Sequence, residues 1–319
     1  MNGPTPAPAY LAFAHLIIDD LELADGTRIT GQLGGAGTYA ALGMSLASAP
    51  HAAALTCGVG ADLAPAHRAW LRASGIDTTA LAARGPHTPR SRVVYHADGS
   101  RTETPSYGHD HFAGMAPAVK DIPVGWQQIQ GVYFFAADDE PQWPELLHRA
   151  RPAAVLWEIS AACCRPDRFG AVARRMRDVD VLSINAAEAR ALCGVADPVG
   201  CLARLRAAGP AVVVLRRGAA GSLIATGDRT LEVGAAPAGR VEDATGAGNC
   251  YSGAFLAAWC QTHDPGASAA IAAAAAATVL GQAGVPPPAD APARMALAAR
   301  AAQVTVHESP LPSMSTEPT

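Results

Sequence analysis

Val241-Glu242-Asp243-Ala244-Thr245-Gly246-Ala247-Gly248-Asn249-Cys250, running on into Tyr251-Ser252-Gly253-Ala254-Phe255-Leu256, is the stretch on which the reading of this chain turns. It passes from acid and hydroxyl side chains through Gly-Ala-Gly. An apolar segment with helical spacing follows (Phe255, Leu256, Trp259) and predicts a helix to about Gln261. Small residues directly before a helix leave backbone N–H groups unpaired and open to an anion, and the helix dipole adds roughly half a positive charge there. Such a mouth suits a phosphate or a phosphoryl group in transfer. For Gly-Ala-Gly alone, a plain glycine-rich turn explains the residues equally well.

Outward from that stretch the chain alternates strand and helix. Tyr10 to Ile18 reads as a buried strand ending in Asp19-Asp20. Asp25-Gly26 is a hairpin turn, with Arg28 to Leu33 returning. Gly34-Gly35-Ala36-Gly37 opens a helix from Thr38, and Ala53 to Cys57 is a second core strand. Ser91 to His96 and Arg101 to Pro105 flank Ala97-Asp98-Gly99, a polar hairpin that reads as a flap. Further on, the runs Gly131 to Ala137, Ala153 to Ile159, Val181 to Ile184 and Ala211 to Leu215 are separated by helical segments. That rhythm predicts an α/β, doubly wound, mostly parallel sheet with helices on both faces, where ligands gather at the carboxyl ends of strands. One domain over residues 9–307 is expected, with lid segments at about 19–33 and 91–106 and a disordered Ser/Pro/Thr-rich tail from Glu308 (308–319).

Composition narrows the function classes. The chain has 319 residues, 50% of them hydrophobic, and a net charge of −4 with no basic run, which argues against nucleic acid or an anionic membrane as partner. Met1 to Pro8 lacks the pattern of a signal peptide, and the Ala-rich stretch 267–280 is too short to span a bilayer. Seven scattered cysteines read as reduced thiols in a cytoplasmic protein.

Asn185-Ala186-Ala187-Glu188 stands where a strand becomes a helix, with an amide and a carboxylate three residues apart on one face. The pair suits either the water shell of a nucleotide-bound Mg²⁺ or a capped helix start. Arg216-Arg217-Gly218-Ala219-Ala220-Gly221 offers a cation and two glycines between strands, for a nucleotide or for an ordinary turn. Gly34-Gly35 is a hinge or a helix-entry turn.

These features, in this order, resemble the ribokinase-like, pfkB-type family of carbohydrate and nucleoside kinases over about Tyr10 to His307. The resemblance implies a three-layer ribokinase-like fold with a small β lid, and an ATP-dependent kinase acting on a sugar or nucleoside hydroxyl. It places the anion hole on Gly246, Ala247 and Gly248 and Mg²⁺, through water, on Glu188 beside Asn185. Nucleotide contacts fall on Arg216, Gly218, Gly221 and Thr245. Asp19, Gly34 and Gly35 fall on the acceptor side. Asp243 and Thr245 match positions that line a K⁺ site in some members, and the lid could pair two copies into a homodimer.

One departure bears on the chemistry. The family's catalytic base is the final Asp of the late motif, and here that position is Asn249. An amide can hydrogen-bond a hydroxyl but cannot accept its proton. Losing a general base costs roughly 10²–10⁴ in rate, yet phosphoryl transfer depends mostly on positioning and charge stabilisation. Slowed chemistry is therefore expected, with Asn249→Asp raising turnover. The alternative is a degraded family member that binds nucleotide or metabolite as a regulator or scaffold. Asp19-Asp20, the Gly34 to Gly43 segment, Leu156-Trp157-Glu158 and Gly-Ala-Gly-Asn are most similar to an atypical branch that includes the fungal killer-maintenance proteins, which also carry Asn at the base position. Tyr39 stands where ribokinases use an Asn for ribose, and an aromatic there either stacks on a substrate or packs under the flap. His109-Asp110-His111 is read as solvated, Cys250 as a small packed residue, and Asp138-Asp139-Glu140 as either substrate-facing or a helix start.

Overall fold

A computed structural model describes residues 7–96, 101–151 and 153–311. The apolar run from Tyr10 is two strands, not one. Tyr10–Phe13 (β1) lies in the main sheet, and Ile17–Glu22 (β2) begins a second, four-stranded sheet. Every residue of the run except His15 is buried, so hydrophobicity carries no mark of the break at Ala14 to Leu16. Arg28–Gly34 (β3) returns beside β2 after the Asp25-Gly26 turn, in which Asp25 Oδ1 accepts from the Thr27 amide at 2.9 Å.

Ala36–Leu46 (α1), Ala53–Val59 (β4), Pro65–Ala73 (α2), Ile76–Asp77 (β5) and Leu81–Ala83 (β6) follow. Arg90–Tyr95 (β7) and Arg101–Pro105 (β8) complete the small sheet in the order β3-β2-β7-β8, the expected flap; its turn Ala97-Asp98-Gly99 lies outside the described residues. Gly108–Gly114 (α3) is a short helix that carries His109-Asp110-His111.

The second half keeps the predicted alternation: Gly131–Ala136 (β9), Trp143–Ala150 (α4), Ala154–Ile159 (β10), Phe169–Met176 (α5), Val181–Asn185 (β11), Ala186–Cys193 (α6), Pro198–Ala207 (α7) and Val212–Arg216 (β12). Ser222–Thr226 (β13) and Arg229–Val233 (β14) form a hairpin, and Ala247–Thr262 (α8), Pro265–Val279 (α9) and Ala291–Ala301 (α10) close the layer. Val306–Pro310 (β15) is the last strand. The main sheet runs β15-β14-β13-β12-β11-β10-β9-β1-β4-β5, with β6 also on β4. It is parallel from β12 to β5 and antiparallel from β12 out to β15.

Strand β15 corrects the tail boundary. Glu308, Ser309 and Pro310 pair with Leu231, Thr230 and Arg229 instead of starting a disordered segment. All five residues of β15 are exposed, so backbone pairing to β14 holds the strand and composition alone does not reveal it. Residues 312–319 lie outside the described ones.

Alternation along the strands fills two cores. Val212 and Val214 of β12 face the layer of α1, α8, α9 and α10, while Val213 and Leu215 face α4 to α7. Within the first layer α1 and α8 touch at the main chain. A Cβ on Gly43 would overlap the Cys250 carbonyl oxygen, and one on Gly253 would overlap that of Ala40. Overpacking of this kind costs roughly 1–3 kcal/mol. Gly253→Ala is therefore expected to lower Tm by at least about 3 °C. Gly170→Ala, on exposed α5 with open space around it, should leave Tm unchanged or raised. Thermal melting of both variants checks the contrast.

Candidate active site

Helix α8 follows Gly246, whose φ of 77° is left-handed and which, having no side chain, offers no cap. The amides of Gly248 and Asn249 find no acceptor among the described residues, as expected for a first helical turn, while Cys250 N donates to Gly246 O at 2.8 Å. Two side chains border this mouth. The Tyr39 ring lies against Gly246 and the Arg216 guanidinium against Gly248, so close that a Cβ on either glycine would overlap them. An aromatic ring therefore borders the mouth on one side and a guanidinium on the other.

The region expected to take the acceptor is built by β2 and β3. Asp19 and Asp20 are adjacent but do different things. Asp20 receives a two-pronged bond from Arg90 of β7, at 2.6 and 2.7 Å, which holds its carboxyl below the usual range and ties the flap strands together. Asp19 is 6% exposed and has no hydrogen-bond partner among the described residues. Its carboxylate lies directly over Gly34, where any Cβ would overlap Oδ2. Burial, then the charge of Glu103, push its pKa up from 3.8 to about 7, against the pull of Arg101. An unpaired buried carboxylate that titrates near neutrality is the chemistry of a substrate-holding group. Tyr39 is 1% exposed, with its ring covered by Gly246, so stacking on a base or sugar face is closed to it; its phenol lies in the field of Asp19 and Asp243.

The flap reaches the motif loop directly. Tyr95 donates to Asp243 Oδ1 at 2.8 Å and also bonds Thr245 Oγ1. Arg101 Nη1 donates to Thr245 Oγ1 at 2.9 Å, and Asp243 Oδ1 also accepts from the Thr245 amide at 2.8 Å.

Asn185 and Glu188, expected on the nucleotide side, form a reciprocal capping box. Asn185 Oδ1 accepts from Glu188 N at 2.9 Å, and Glu188 Oε2 accepts from Asn185 N at 3.0 Å. The helix-start reading therefore accounts for both residues. It still leaves Glu188 Oε1 without a partner among the described residues, and burial raises the Glu188 pKa with Arg216 and Glu158 as its charged neighbours. Gly218 faces open space beside a short turn, whereas Gly221 is needed by the fold, since a Cβ there would overlap the Val233 carbonyl. Arg217 is spent on Glu232 at 2.8 Å.

Sequence reasoning missed two residues at the centre. Glu158, at the end of β10, is 4% exposed, and Arg216 Nη2 lies 2.8 Å from its Oε1. Tyr133 of β9 donates to Glu158 Oε2 at 3.0 Å. A lone carboxylate inside the apolar run Ala-Val-Leu-Trp-Glu-Ile is the available signal, because burying a charge requires a partner. The helix after Asp138-Asp139-Glu140 begins only at Trp143. Asp138 and Asp139 both pair with Arg168, at 2.7 and 2.9 Å. His111 bonds the His87 carbonyl from exposed α3, and Cys250 is wholly buried with its thiol pKa pushed up by desolvation.

Comparison with known proteins adds the family. No curated protein matches significantly. Among solved structures, the chain resembles an adenosine kinase from Sinorhizobium meliloti (TM-score 0.75, 23% identity, covering 93% of this chain and 100% of that one). A probable sugar kinase protein from Rhizobium etli CFN 42 is similar to the same degree (0.75, 22%, 93% and 100%). A putative ribokinase II from E. coli in complex with ATP and Mg²⁺ gives 0.71 at 16% identity, covering 87% and 94%. These likenesses share the ribokinase-like fold. A model described as pfkB family carbohydrate kinase matches residues 11–292, from β1 into α10, and the chain belongs to that family.

Proposed function

We propose that this protein is an ATP-dependent small-molecule kinase that transfers the γ-phosphoryl group to a hydroxyl of a sugar or nucleoside. The observation that carries the reading is the pairing of two opposed sites. Unpaired amides and Arg216 stand at the mouth of α8, and an unpartnered carboxylate, Asp19, stands under the flap.

In this mechanism Asp19 accepts hydrogen bonds from acceptor hydroxyls, its carboxylate lying over Gly34, which has no side chain to displace it. The amides of Gly248 and Asn249, with Gly246 and Ala247 shaping the turn, receive the charge that develops on the transferring group. The acceptor oxygen bonds to the γ-phosphorus as the bond to the β-phosphate oxygen breaks and ADP leaves. The hydroxyl proton passes to an oxygen of the transferred group, since Asn249 cannot take it. Arg216 offsets phosphate charge at the mouth, and Gly218, beside its open turn, leaves room for the nucleotide. Tyr95 and Arg101 bring the flap down on Thr245.

Mg²⁺ fits the residues present, because Glu188 keeps one carboxylate oxygen free and its raised pKa marks a charge short of partners. The ion would neutralise phosphate charge, with Glu188 and Asn185 holding its water shell. K⁺ at Asp243 would share the carboxylate with Tyr95 and the Thr245 amide, both of which bond Oδ1. A homodimer would form along the outer edge of β8, which pairs with β7 alone.

Thermal-shift screening with ATP, GTP, nucleosides and sugars, followed by assay of ADP release on the hits, tests the function. Stabilisation by Mg·ATP together with acceptor-dependent ADP release is expected. Nucleotide binding with no transfer to any acceptor would favour the regulator or scaffold reading instead. Glu188→Gln is expected to raise the Mg²⁺ concentration needed for half-maximal activity about tenfold, as changes behind a metal's water shell do. Indifference to that change removes the Mg²⁺ assignment.

A further inference from the structure

Beneath the helix mouth, Asn249 turns both protons of its amide inward, one to Tyr133 Oη at 3.0 Å and one to Glu158 Oε1 at 3.1 Å. Chemistry forces these directions. Glu158 only accepts, Arg216 only donates, and Tyr133 has already given its single proton to Glu158. The amide nitrogen must therefore face inward, and Oδ1 is left as an acceptor with no donor among the described residues. Arg216, fixed by the same carboxylate, lies against Gly248.

We propose that Glu158 is a positioning residue. Through Asn249 and Tyr133 it fixes an amide oxygen at the helix mouth to receive the attacking hydroxyl's hydrogen bond, and its charge is what makes an amide the side chain that position 249 can hold. The role toward the hydroxyl rests on the kinase reading; the pairing of Glu158 with Asn249 does not. An aspartate at 249 would bring a second carboxylate, with no proton to donate, to about 3 Å from Glu158, where two such groups do not both ionise readily. The loss of the expected base and the buried charge on β10 are then one change in two places. Asn249→Asp alone repairs nothing, and it creates a working carboxylate only once Glu158 is neutral.

The test is a double-mutant cycle of E158Q and N249D, read first by melting. At pH 8, N249D is expected to lower Tm by about 5 °C with Glu158 present and by less than half of that in the E158Q background, and its penalty should shrink toward pH 5. Equal losses in both backgrounds overturn the proposal. On a verified acceptor, N249D alone should lower kcat about tenfold, because the introduced carboxylate is repelled by Glu158 from the place the amide holds. The double variant should exceed E158Q about tenfold, with a new rise of kcat with pH as the introduced carboxylate ionises. A gain from N249D alone as large as that of the double variant also overturns it. Tyr133→Phe removes one oxygen and no charge, so it guards against a cycle that does not fold. A fall of about tenfold in kcat at constant KM for ATP supports the proposal, and an unchanged kcat counts against it. If no variant turns over any acceptor while the melting cycle shows coupling, the kinase reading fails and the pairing stands. Additive melting with activation by N249D has the opposite meaning.

Discussion

Asp19→Asn is expected to lower kcat/KM for the acceptor by about 10³ while making the protein more stable. The two effects share one cause. Hydrogen bonds to a charged group contribute about 1.5–3 kcal/mol, and losing the orientation of a reacting hydroxyl costs up to another ~10² in rate. The same buried charge is a burden on folding. With its pKa raised to about 7, Asp19 holds its proton in the native state over a range where the unfolded chain has released it. Stability from this group therefore falls as pH rises from about 4 to about 7, and the full penalty, at most ~4 kcal/mol, is present above that. Asp19→Asn removes the penalty, so its gain in Tm should be several degrees at pH 8 and only a small fraction of that near pH 4. In the unmodified protein, acceptor kcat/KM should rise with pH through about 7 and level off above it. Melting curves at the two pH values and a pH profile of kcat/KM check both halves. A variant that is inactive and no more stable at pH 8 would show that Asp19 is not a strained, unpartnered charge.

Gly246→Ala is expected to abolish the thermal stabilisation by Mg·ATP and to lower kcat at least about 10². Position 246 has a left-handed backbone, which costs a residue with a side chain about 1–2 kcal/mol, and the new methyl would overlap the Tyr39 ring. Relief requires rotating the first turn of α8 or displacing Tyr39, and either motion re-aims the Gly248 and Asn249 amides. Removing one such donor from developing charge typically costs 10²–10³ in rate. Tyr39→Ala combined with Gly246→Ala separates the causes. Recovered folding without recovered turnover would locate the defect in the amides, whereas full recovery would place it in the ring.

Most of the fold was legible in the sequence, because a parallel sheet buried on both faces writes itself as short apolar runs between helical segments. What escaped shows where that signal ends. The break between β1 and β2 falls in residues buried on both sides of it, and β15 is held by backbone pairing that leaves its side chains in water. In the site, the late motif, Asp19 and the glycines beside it were readable because each answers a local demand for small size or for charge at a strand end. Tyr133, Glu158, Tyr95 and Arg101 were not, since their roles depend on partners 25 to 150 positions away. The contact that bears on Asn249→Asp was hidden for the same reason, because Glu158 lies on another strand.

The glycine contacts between α1 and α8 have a consequence for how the molecule could work. The loop opening α1 sits beneath Asp19, and in the proposed kinase the start of α8 is where the phosphate is received. With two peptide groups in direct apposition, the gap between reactants is gauged by covalent geometry and cannot breathe with side-chain rotamers. Opening, closing and the choice of acceptor are then left to the small sheet, where variation can accumulate without disturbing the distance over which the phosphoryl group must travel.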